Sequence, residues 1–220
     1  MTINPPISEL KNVRPRGAEP RTIPPGGTGA GVKLIIGLGN PGVEYKNTYH
    51  NVGFIAIDYL AKNLRAEPIS IPSRHHFTAF KTNRFYLAKP SSFMNQSGKP
   101  TAEIIKFFKT PPEQTLIIHD DSDIKLGSYK FSFGRGGAGH NGVQSIIDTL
   151  KTSTEGQSAS GGKNFWRLRL GIRPISKHPT PASRLKAGDF VLKNIKPAHL
   201  KIFYSVVGDI IVKLTENEKP

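Results

Sequence analysis

A histidine and a carboxylate are the side chains of this sequence best suited to acid–base chemistry. His50 lies in the segment LIIGLGNPGVEYKNTYHNVG at residues 34–53, and Asp120 lies in HDDSD at residues 119–123. An imidazole, with an ordinary pKa of about 6.5, can accept a proton from water at neutral pH. A carboxylate beside it would hold the ring in one tautomer and favour its protonated form. Together they predict a histidine base with an aspartate partner.

Three asparagines could supply neutral hydrogen-bond donors to the same site. Asn40 follows a glycine turn in the first segment, Asn95 lies in FMNQSG at residues 93–98, and Asn141 lies in GHNG at residues 139–142. An uncharged amide that is fixed in place is well suited to stabilise a developing oxyanion. The alternatives are structural, an Asx turn for Asn95 and a helix N-cap for Asn141.

The residues that the sequence lacks narrow the choice of nucleophile. It contains no cysteine and no G-x-S-x-G motif, so a covalent serine or cysteine mechanism has no candidate nucleophile. Water is therefore the predicted nucleophile, and transfer of an acyl group to water is the predicted reaction. Asp121 and Asp123 are either surface acids or a loose site for a divalent cation. Because no ligand spacing indicates a metal, we expect no metal site.

Glycines at positions 37, 39 and 42 match the G-x-G-x-x-G pattern of dinucleotide-binding loops. That pattern requires a helix that begins at its third glycine and an acidic residue at the end of the next strand. Here the polar residues 44–51 precede the helix, and Asp58, at the matching spacing, lies in the middle of it. We therefore favour a turn that presents Asn40 at the carboxyl edge of the sheet, where α/β proteins bind ligands. A nucleotide site is the alternative.

Apolar patterns predict the elements that must hold these side chains. A continuous apolar run predicts a strand covered on both faces at 32–38, and helical periodicity follows at 52–64. The fold class is a single-domain three-layer α/β/α sandwich with a mixed, mostly parallel central sheet. Asn51 and Ser97 are the predicted N-caps of the first two helices. Further strands are predicted at 77–80, 85–88, 115–119, 129–133 and 165–172, and further helices at 97–108, 141–150 and 197–214.

Composition predicts the domain boundaries. Residues 1–31 are rich in proline and glycine and have no periodicity, so we predict a disordered tail before a domain at 32–220. A low-complexity surface insertion is predicted at 152–163, and a proline-containing loop or flap at 173–196. The tail matches an organelle transit peptide only in part, so cytoplasmic and mitochondrial locations both stay open. No apolar run reaches the length of about 20 residues that spans a bilayer, and we expect no membrane insertion.

The charge balance predicts a polyanionic partner. The chain has 31 Lys and Arg residues against 16 Asp and Glu residues, a formal net charge of +15. Basic side chains near phosphates release condensed counterions, which favours a nucleic acid as the partner. The section from Arg167 to Lys201 is especially basic and contains one acid, Asp189, so we predict that it contacts RNA. An acidic membrane surface, or no specific partner, is the alternative.

Five segments occur here in a family-specific order: LIIGLGNPGVEYKNTYHNVG, KPSSFMNQSGKP, IIHDDSDIKLGSYKF, GGAGHNGVQSII and NFWRLRLGI. They resemble the bacterial-type peptidyl-tRNA hydrolase family. The resemblance implies one α/β domain that hydrolyses the ester between a peptide and the 3′-terminal adenosine of tRNA, with no metal or cofactor. It implies a monomer that binds the acceptor stem and 3′ end, and it leaves ribosome association open. The tail and the insertion are typical of a eukaryotic or organellar member.

The same resemblance implies a role for each candidate residue. His50 would activate the water, Asp120 would be its partner, and Asn95 would polarise the scissile carbonyl. Asn40 and Asn141 would bind the peptide and terminal-nucleotide ends of the substrate. The remaining implied contacts are Tyr45, Phe93 and Met94, which would line the cleft, and Arg169, which would meet a phosphate.

The sequence departs from the family pattern mainly at positions that would contact the tRNA. A basic residue often found on the strand after the acidic motif is Ser132 here, and Lys130, on the same strand face, is the predicted substitute. Gly137 stands where the glycine loop usually has a histidine. The acidic motif reads HDDSD instead of HDELD, with Asp120 and Asp123 kept. A non-enzymatic RNA-binding or splicing factor on the same fold is the alternative function.

Overall fold

The computed structural model describes residues 31–152, 162–174, 188 and 190–216. The predicted disordered tail, the centre of the predicted insertion and most of the predicted flap lie outside these residues. Among the helices of the described stretches, none is both long and apolar enough to cross a membrane.

One mixed sheet forms the centre of the described structure. Its strands are β1 (Leu34–Gly37), β2 (Glu67–Ile69), β3 (Phe77–Lys81), β4 (Tyr86–Pro90), β5 (Thr115–Lys125), β6 (Tyr129–Phe133) and β7 (Trp166–Arg173). They pair in the order β2-β3-β4-β1-β5-β7-β6. In this sheet β3 and β6 run against the direction of the other strands, so the four central strands are parallel. The predicted mixed, mostly parallel sheet is confirmed.

Helices cover both faces of this sheet. They are α1 (Val52–Asn63), α2 (Gly98–Phe107), α3 (Asn141–Thr152) and α4 (Pro197–Glu216). Ile35 of β1 packs in one apolar core with residues of α1 and α4. Leu34 and Ile36 point to the opposite face, where they pack with residues of α2 and α3. The uninterrupted apolar run of β1 is therefore buried on both sides, and the predicted three-layer sandwich is confirmed.

Glycines let the first helix pack directly against the end of β1. A Cβ atom on Gly37 would lie 2.2 Å from the carbonyl oxygen of Gly53, and one on Gly53 would lie 2.4 Å from the carbonyl oxygen of Leu38. The helix begins well after Gly42. Its N-terminus therefore does not open at the third glycine, as a dinucleotide loop requires.

β5 extends further than its apolar residues indicated. The strand was predicted at 115–119, but it continues to Lys125, so the HDDSD motif lies inside the strand. The reason is its neighbour β7, which pairs with β5 as far as Asp121 opposite Gly171, with a register shift before Lys125. A Cβ atom on Gly171 would lie 2.1 Å from the carbonyl oxygen of Lys125, so only a glycine allows this approach.

The two predicted side-chain caps are wrong. Short 3₁₀ turns at Tyr49–Asn51 and Met94–Gln96 precede α1 and α2. Asn51 and Ser97 stand at the N-cap positions, but neither side chain bonds to the helix it precedes. Ser97 has helical backbone angles rather than the extended ones of a capping residue, and its hydroxyl donates to the Met94 carbonyl at 2.8 Å.

Candidate active site

His50 and Asp120 meet at the carboxyl edge of the parallel strands. His50 lies in the 3₁₀ turn that joins β1 to α1, and Asp120 lies in β5, the strand beside β1. The His50 Nδ1 and Asp120 Oδ1 atoms are 2.8 Å apart. Asp120 is only 2% exposed, whereas the imidazole lies at the surface of the site with its other nitrogen available. The two residues are 70 positions apart in the chain and become neighbours because their strands are adjacent.

A second histidine, which the sequence analysis did not single out, binds the same carboxylate oxygen. His140 Nε2 lies 3.0 Å from Asp120 Oδ1, and the His50 and His140 ring centroids are 5.2 Å apart. The backbone N–H of Val143 donates to His140 Nδ1 at 3.3 Å. When the His140 ring carries a single proton, that proton therefore sits on Nε2, where it is donated to Asp120.

His140 also begins α3, a role the sequence analysis considered for Asn141. The His140 carbonyl accepts the N–H of Gln144 at 3.0 Å, and its ring accepts the N–H of Val143. A histidine is not among the preferred N-cap residues, so capping statistics pointed to the neighbouring asparagine. The usable signal was the presence of a further histidine in GHNG, next to an amide already assigned to the site.

The carboxylate of Asp120 stays ionised in this buried position. Burial alone would raise its pKa, but the charge and hydrogen bond of His140, together with those of His50, hold the pKa well below its usual range. Two N–H donors on one oxygen and two adjacent imidazoles thus outweigh the cost of desolvation. The arrangement can orient His50 and stabilise its protonated form.

His119 supports the cluster from the buried side. Its Nδ1 atom donates to the backbone carbonyl of Asp120 at 2.7 Å, and its ring meets the His140 ring edge-on at a centroid distance of 4.6 Å. Burial lowers the pKa of His119 well below its ordinary value, and the neighbouring His140 lowers it further. His119 is therefore neutral, and it packs the site without carrying charge.

Asn40 and Asn51 are joined by two hydrogen bonds. The Asn51 side chain accepts the N–H of Asn40 and donates to the Asn40 carbonyl, both at 2.9 Å. The Asn40 side-chain oxygen accepts the N–H of Met94 at 2.7 Å. Asn51 therefore ties the histidine turn to the end of β1 instead of capping α1. The Nδ2 group of Asn40 makes no hydrogen bond to the described residues and is available to a ligand.

The other two amides face solvent. Asn95 and Asn141 are both exposed, and neither side chain hydrogen-bonds to any residue that the structure describes. Asn95 lines a groove of about 1350 Å³ together with Pro41 and Phe93. The Asn95 and Asn141 amides are thus free of partners among the described residues, which argues against the Asx-turn alternative for Asn95.

The predicted cleft residues differ in exposure. Phe93 is 50% exposed and meets the Tyr45 ring edge-on at a centroid distance of 6.2 Å, so both rings are within reach of a substrate. Met94 is buried, and its sulfur would lie 2.5 Å from a Cβ atom on Gly142. Met94 therefore packs behind the cleft wall, against the start of α3.

The structure describes only part of the basic section predicted at 167–201, since residues 175–187 and 189 lie outside the described residues. Arg167 is 1% exposed, so its assignment to an RNA-contacting surface is wrong. Burial, with the nearby charge of Arg169, lowers the pKa of Arg167 to about 10. Arg169 itself donates to Asp121 Oδ2 at 2.6 Å. Lys130 lies directly opposite Arg169 on β6 and is exposed, so these two basic groups share one sheet face.

Among the described residues, one group has the composition of a metal site. The candidate ligand atoms of His50, Asp120 and His140 lie within 4.8 Å of one another. Two ligands of a tetrahedral metal at about 2.1 Å would be about 3.4 Å apart. Here the two nitrogens lie 2.8 and 3.0 Å from one carboxylate oxygen, which is the spacing of hydrogen bonds. The acids of the alternative cation site are instead paired with arginines, Asp121 with Arg169 and Asp123 with Arg173.

Comparisons with known proteins agree on one family. A family model described as peptidyl-tRNA hydrolase matches residues 34–217. A peptidyl-tRNA hydrolase of Rickettsia bellii is 36% identical over 188 residues, covering 84% of this chain and 90% of that protein. One from Variovorax paradoxus is 42% identical over 187 residues, 83% of this chain and 79% of its own. A crystal structure of peptidyl-tRNA hydrolase from Acinetobacter baumannii aligns with a TM-score of 0.67 at 30% identity, covering 84% and 87% of the two chains.

Proposed function

This chain belongs to the peptidyl-tRNA hydrolase family, and from that premise we propose which of its residues hydrolyse the ester between peptide and tRNA. The enzyme is an ester hydrolase that acts on peptidyl-tRNA. The observation that carries the residue assignments is the 2.8 Å contact between His50 Nδ1 and the buried, ionised carboxylate of Asp120.

His50 acts as the general base. Because its Nδ1–H is donated to Asp120, the lone pair of Nε2 is free to take a proton from the attacking water. The hydroxide adds to the ester carbonyl, and the histidine later returns the proton to the leaving 3′ oxygen of the tRNA. Asp120 stabilises the imidazolium that exists between these two steps. Positioned acid–base catalysis of this kind typically supplies about 10²–10⁴ in rate.

His140 keeps the carboxylate of Asp120 in place for this role. Its Nε2–H occupies the same oxygen as His50, so Asp120 is held by two donors from different elements. A carboxylate held in this way cannot rotate without breaking both hydrogen bonds. His140 thus orients Asp120, and through it the base.

Asn95 polarises the scissile carbonyl and stabilises its developing negative charge. Its exposed amide has no hydrogen-bond partner among the described residues, so it can bind a substrate oxygen without giving up an internal bond. The free Nδ2 group of Asn40 and the exposed amide of Asn141 bind the peptide and the terminal nucleotide. Tyr45 and Phe93 contact the substrate beside Asn95, supported by the buried Met94.

The tRNA backbone binds the face that carries Lys130 and Arg169. Lys130 is exposed, and Arg169 lies opposite it, partly neutralised by Asp121. An ion-paired arginine keeps guanidinium N–H groups that can meet a phosphate, while its carboxylate partner fixes its orientation. We assign the acceptor stem and the 3′ end as the parts of the tRNA bound here.

A hydrolysis assay with His50→Ala tests the assignment of the base. The substrate is an N-blocked aminoacyl-tRNA such as diacetyl-lysyl-tRNA, and filter binding measures the affinity for tRNA separately. We expect hydrolysis to fall by about 10²–10⁴-fold while tRNA binding is retained. Lys62→Ala is the control, since Lys62 is an exposed residue of α1 that does not line the groove of Asn95. Hydrolysis by His50→Ala at the wild-type rate would show that another group is the base.

A further inference from the structure

The turn that carries His50 is held from two opposite sides. On one side, the Asn51 side chain binds the backbone of Asn40 at the end of β1. On the other side lies the segment Phe190–Ile195, which leads into α4. A general base needs this support, because a displacement of about 1 Å at a catalytic group can cost about 10² in rate.

The backbone of the turn pairs directly with the segment Phe190–Ile195. The His50 N–H donates to the Val191 carbonyl at 2.8 Å, and the Tyr49 N–H donates to the Lys193 carbonyl at 3.2 Å. In return the Ile195 N–H donates to the Asn47 carbonyl at 2.7 Å. The turn that carries His50 thus forms one side of a short antiparallel pair of backbone segments.

One side-chain hydrogen bond joins this turn to α4. Tyr49 is 5% exposed, and its hydroxyl lies 2.6 Å from Nδ1 of His199, a residue in the first turn of α4. The Tyr49 ring also meets Phe190 and Phe203 edge-on, at centroid distances of 6.2 and 6.4 Å. The residue immediately before His50 is therefore enclosed by aromatic rings, and its hydroxyl meets the His199 ring and the backbone of Lys196.

The protonation states fit a hydrogen bond donated by the tyrosine. Burial raises the pKa of Tyr49, so its hydroxyl keeps its proton. Burial also lowers the pKa of His199, assisted by the charge of Lys196, so its ring is neutral. A neutral ring can offer Nδ1 as an acceptor, with its own proton on Nε2.

We propose that Tyr49 and His199 form a positioning pair that fixes the turn of His50 against Asp120. The pair touches neither the carboxylate nor the exposed side of the site, and it acts through the backbone of the turn. Tyr49 cannot shift without moving the adjacent His50, whose 2.8 Å hydrogen bond tolerates little displacement. This inference rests on the proposed role of His50 as the base. It extends the catalytic machinery to α4, which lies beyond the residues assigned above.

The kinetic test removes each end of the hydrogen bond while keeping a ring in its place. We expect Tyr49→Phe and His199→Phe each to lower kcat roughly tenfold and to change KM little, because the binding face is untouched. Both substitutions remove the same hydrogen bond. The kcat of the double variant should therefore be no lower than that of the less active single variant. His199→Gln, whose amide oxygen can accept the tyrosine proton, should lose less activity than His199→Phe.

Tyr59→Phe is the matched control. Tyr59 is a buried tyrosine of α1 that stacks on Tyr204 of α4 at a centroid distance of 4.8 Å. Its hydroxyl has no hydrogen-bond partner in the described part of the chain. Its loss therefore perturbs the same pair of helices without touching the turn, and kcat should stay at the wild-type value.

A second measurement reads the position of His50 without any turnover. The Nδ1–H proton bonded to Asp120 should give a low-field NMR resonance, assigned by its absence in His50→Ala. We expect Tyr49→Phe and His199→Phe to shift or broaden it, and Tyr59→Phe to leave it unchanged. The proposal is overturned by an unchanged kcat, by a lower kcat with an unchanged resonance, or by losses that multiply in the double variant. If His50→Ala is fully active, the base assignment fails by itself, and the resonance still reports on the pair.

Discussion

The two halves of the proposed active site are built in opposite ways. The base cluster, consisting of His50, Asp120 and His140, is largely buried and joined by hydrogen bonds of 2.8 and 3.0 Å. The amide rim, consisting of Asn95 and Asn141, is exposed, and its side chains have no partner among the described residues. The cluster is thus organised before substrate arrives, and the rim offers donors that a ligand can bind without breaking a bond to the described residues.

This contrast predicts that substitutions in the two halves affect stability and activity differently. A group with internal partners contributes to folding as well as to catalysis, because removing it leaves other buried polar atoms unpaired. A group without internal partners can be removed with little cost to the fold. Changes in the base cluster should therefore alter both properties, and changes in the amide rim should alter activity alone.

The largest effect is expected for Asp120→Asn. The amide keeps the size of the carboxylate but not the charge that stabilises protonated His50, so kcat should fall by about 10²–10⁴-fold. Steady-state hydrolysis of an N-blocked aminoacyl-tRNA measures it. Asp148→Asn, at an exposed carboxylate of α3, is the control and should keep full activity. Retention of wild-type kcat by Asp120→Asn would remove Asp120 from the mechanism.

Asn95→Ala should lower kcat by about 10²–10³-fold, the usual effect of losing one oxyanion donor. Since Asn95 is exposed and unpaired within the described structure, the free energy of unfolding should change by less than about 0.5 kcal/mol. Urea denaturation and the hydrolysis assay measure the two quantities on the same protein. Gln144→Ala, at an exposed amide of α3 that does not line the groove of Asn95, is the control. If Asn95→Ala also lowered the free energy of unfolding substantially, the contrast between the two halves would be contradicted.

His140→Ala, in contrast to Asn95→Ala, should lower the stability of the fold as well as the activity. It removes one of two hydrogen bonds to a buried carboxylate and the ring that accepts the Val143 N–H, so unfolding should become easier by about 1.5–3 kcal/mol. Activity should fall as well, since Asp120 is then held by His50 alone. Asn141→Ala, the adjacent residue of the amide rim, should leave the urea midpoint in place. If the two variants were equally stable, His140 would not be part of a preorganised cluster.

The base cluster should also make the free energy of unfolding depend on pH in the acid range. The pKa of Asp120 in the folded protein lies below its unfolded value of about 3.9, so the unfolded chain takes up the proton first as the pH falls. Its stabilising contribution is therefore complete above about pH 4 and is lost as the pH falls further. Urea denaturation between about pH 3 and pH 7 measures the free energy of unfolding of wild type and of Asp120→Asn. The difference between these two free energies should become smaller only below about pH 4. A difference that is constant across this range would contradict the assigned pKa shift.

The smallest effect is expected outside both halves, on the proposed tRNA-binding face of Lys130 and Arg169. Lys130→Ala removes one exposed charge, so tRNA binding should weaken only a few-fold, and the slope of log affinity against log salt should decrease by about 1. Filter binding at several salt concentrations measures both. Lys62→Ala, an exposed lysine of α1, is the control. An unchanged salt slope in Lys130→Ala would exclude a phosphate contact at this residue.

Much of the scaffold could be predicted because its signals are local. The apolar run before Gly37 predicted a strand buried on both faces, and the periodicity after Asn51 predicted α1. The meeting of His50 and Asp120 followed from one further rule, that side chains at the carboxyl ends of neighbouring parallel strands share an edge. These parts needed no knowledge of long-range contacts beyond strand adjacency.

Other parts of the site lacked a local signal. His140 looked like a neighbour of the more familiar Asn141, and Asn51 looked like a helix cap. Arg167 lay in a basic section and was assigned to the surface, yet β7 is an interior strand between β5 and β6. For His140 and Asn51 the deciding partner lies outside their own element, and for Arg167 burial follows from the order of the strands, so the pattern of nearby residues did not reveal these roles.

The amino-acid sequence by itself determined the order of the helices and of six of the seven described strands, the polar residues at their ends and the excess of positive charge. It did not indicate the short edge strand β2, whose residues are mostly exposed and carry no alternating pattern. Only the tertiary structure decided which polar groups meet: two histidines on one oxygen of Asp120, Asn51 on the backbone of Asn40, and Tyr49 on His199. The physical reason is the range of the interactions. Periodicity and propensity act over a few residues, whereas hydrogen-bond partners are chosen by strand order, register and packing across the whole chain.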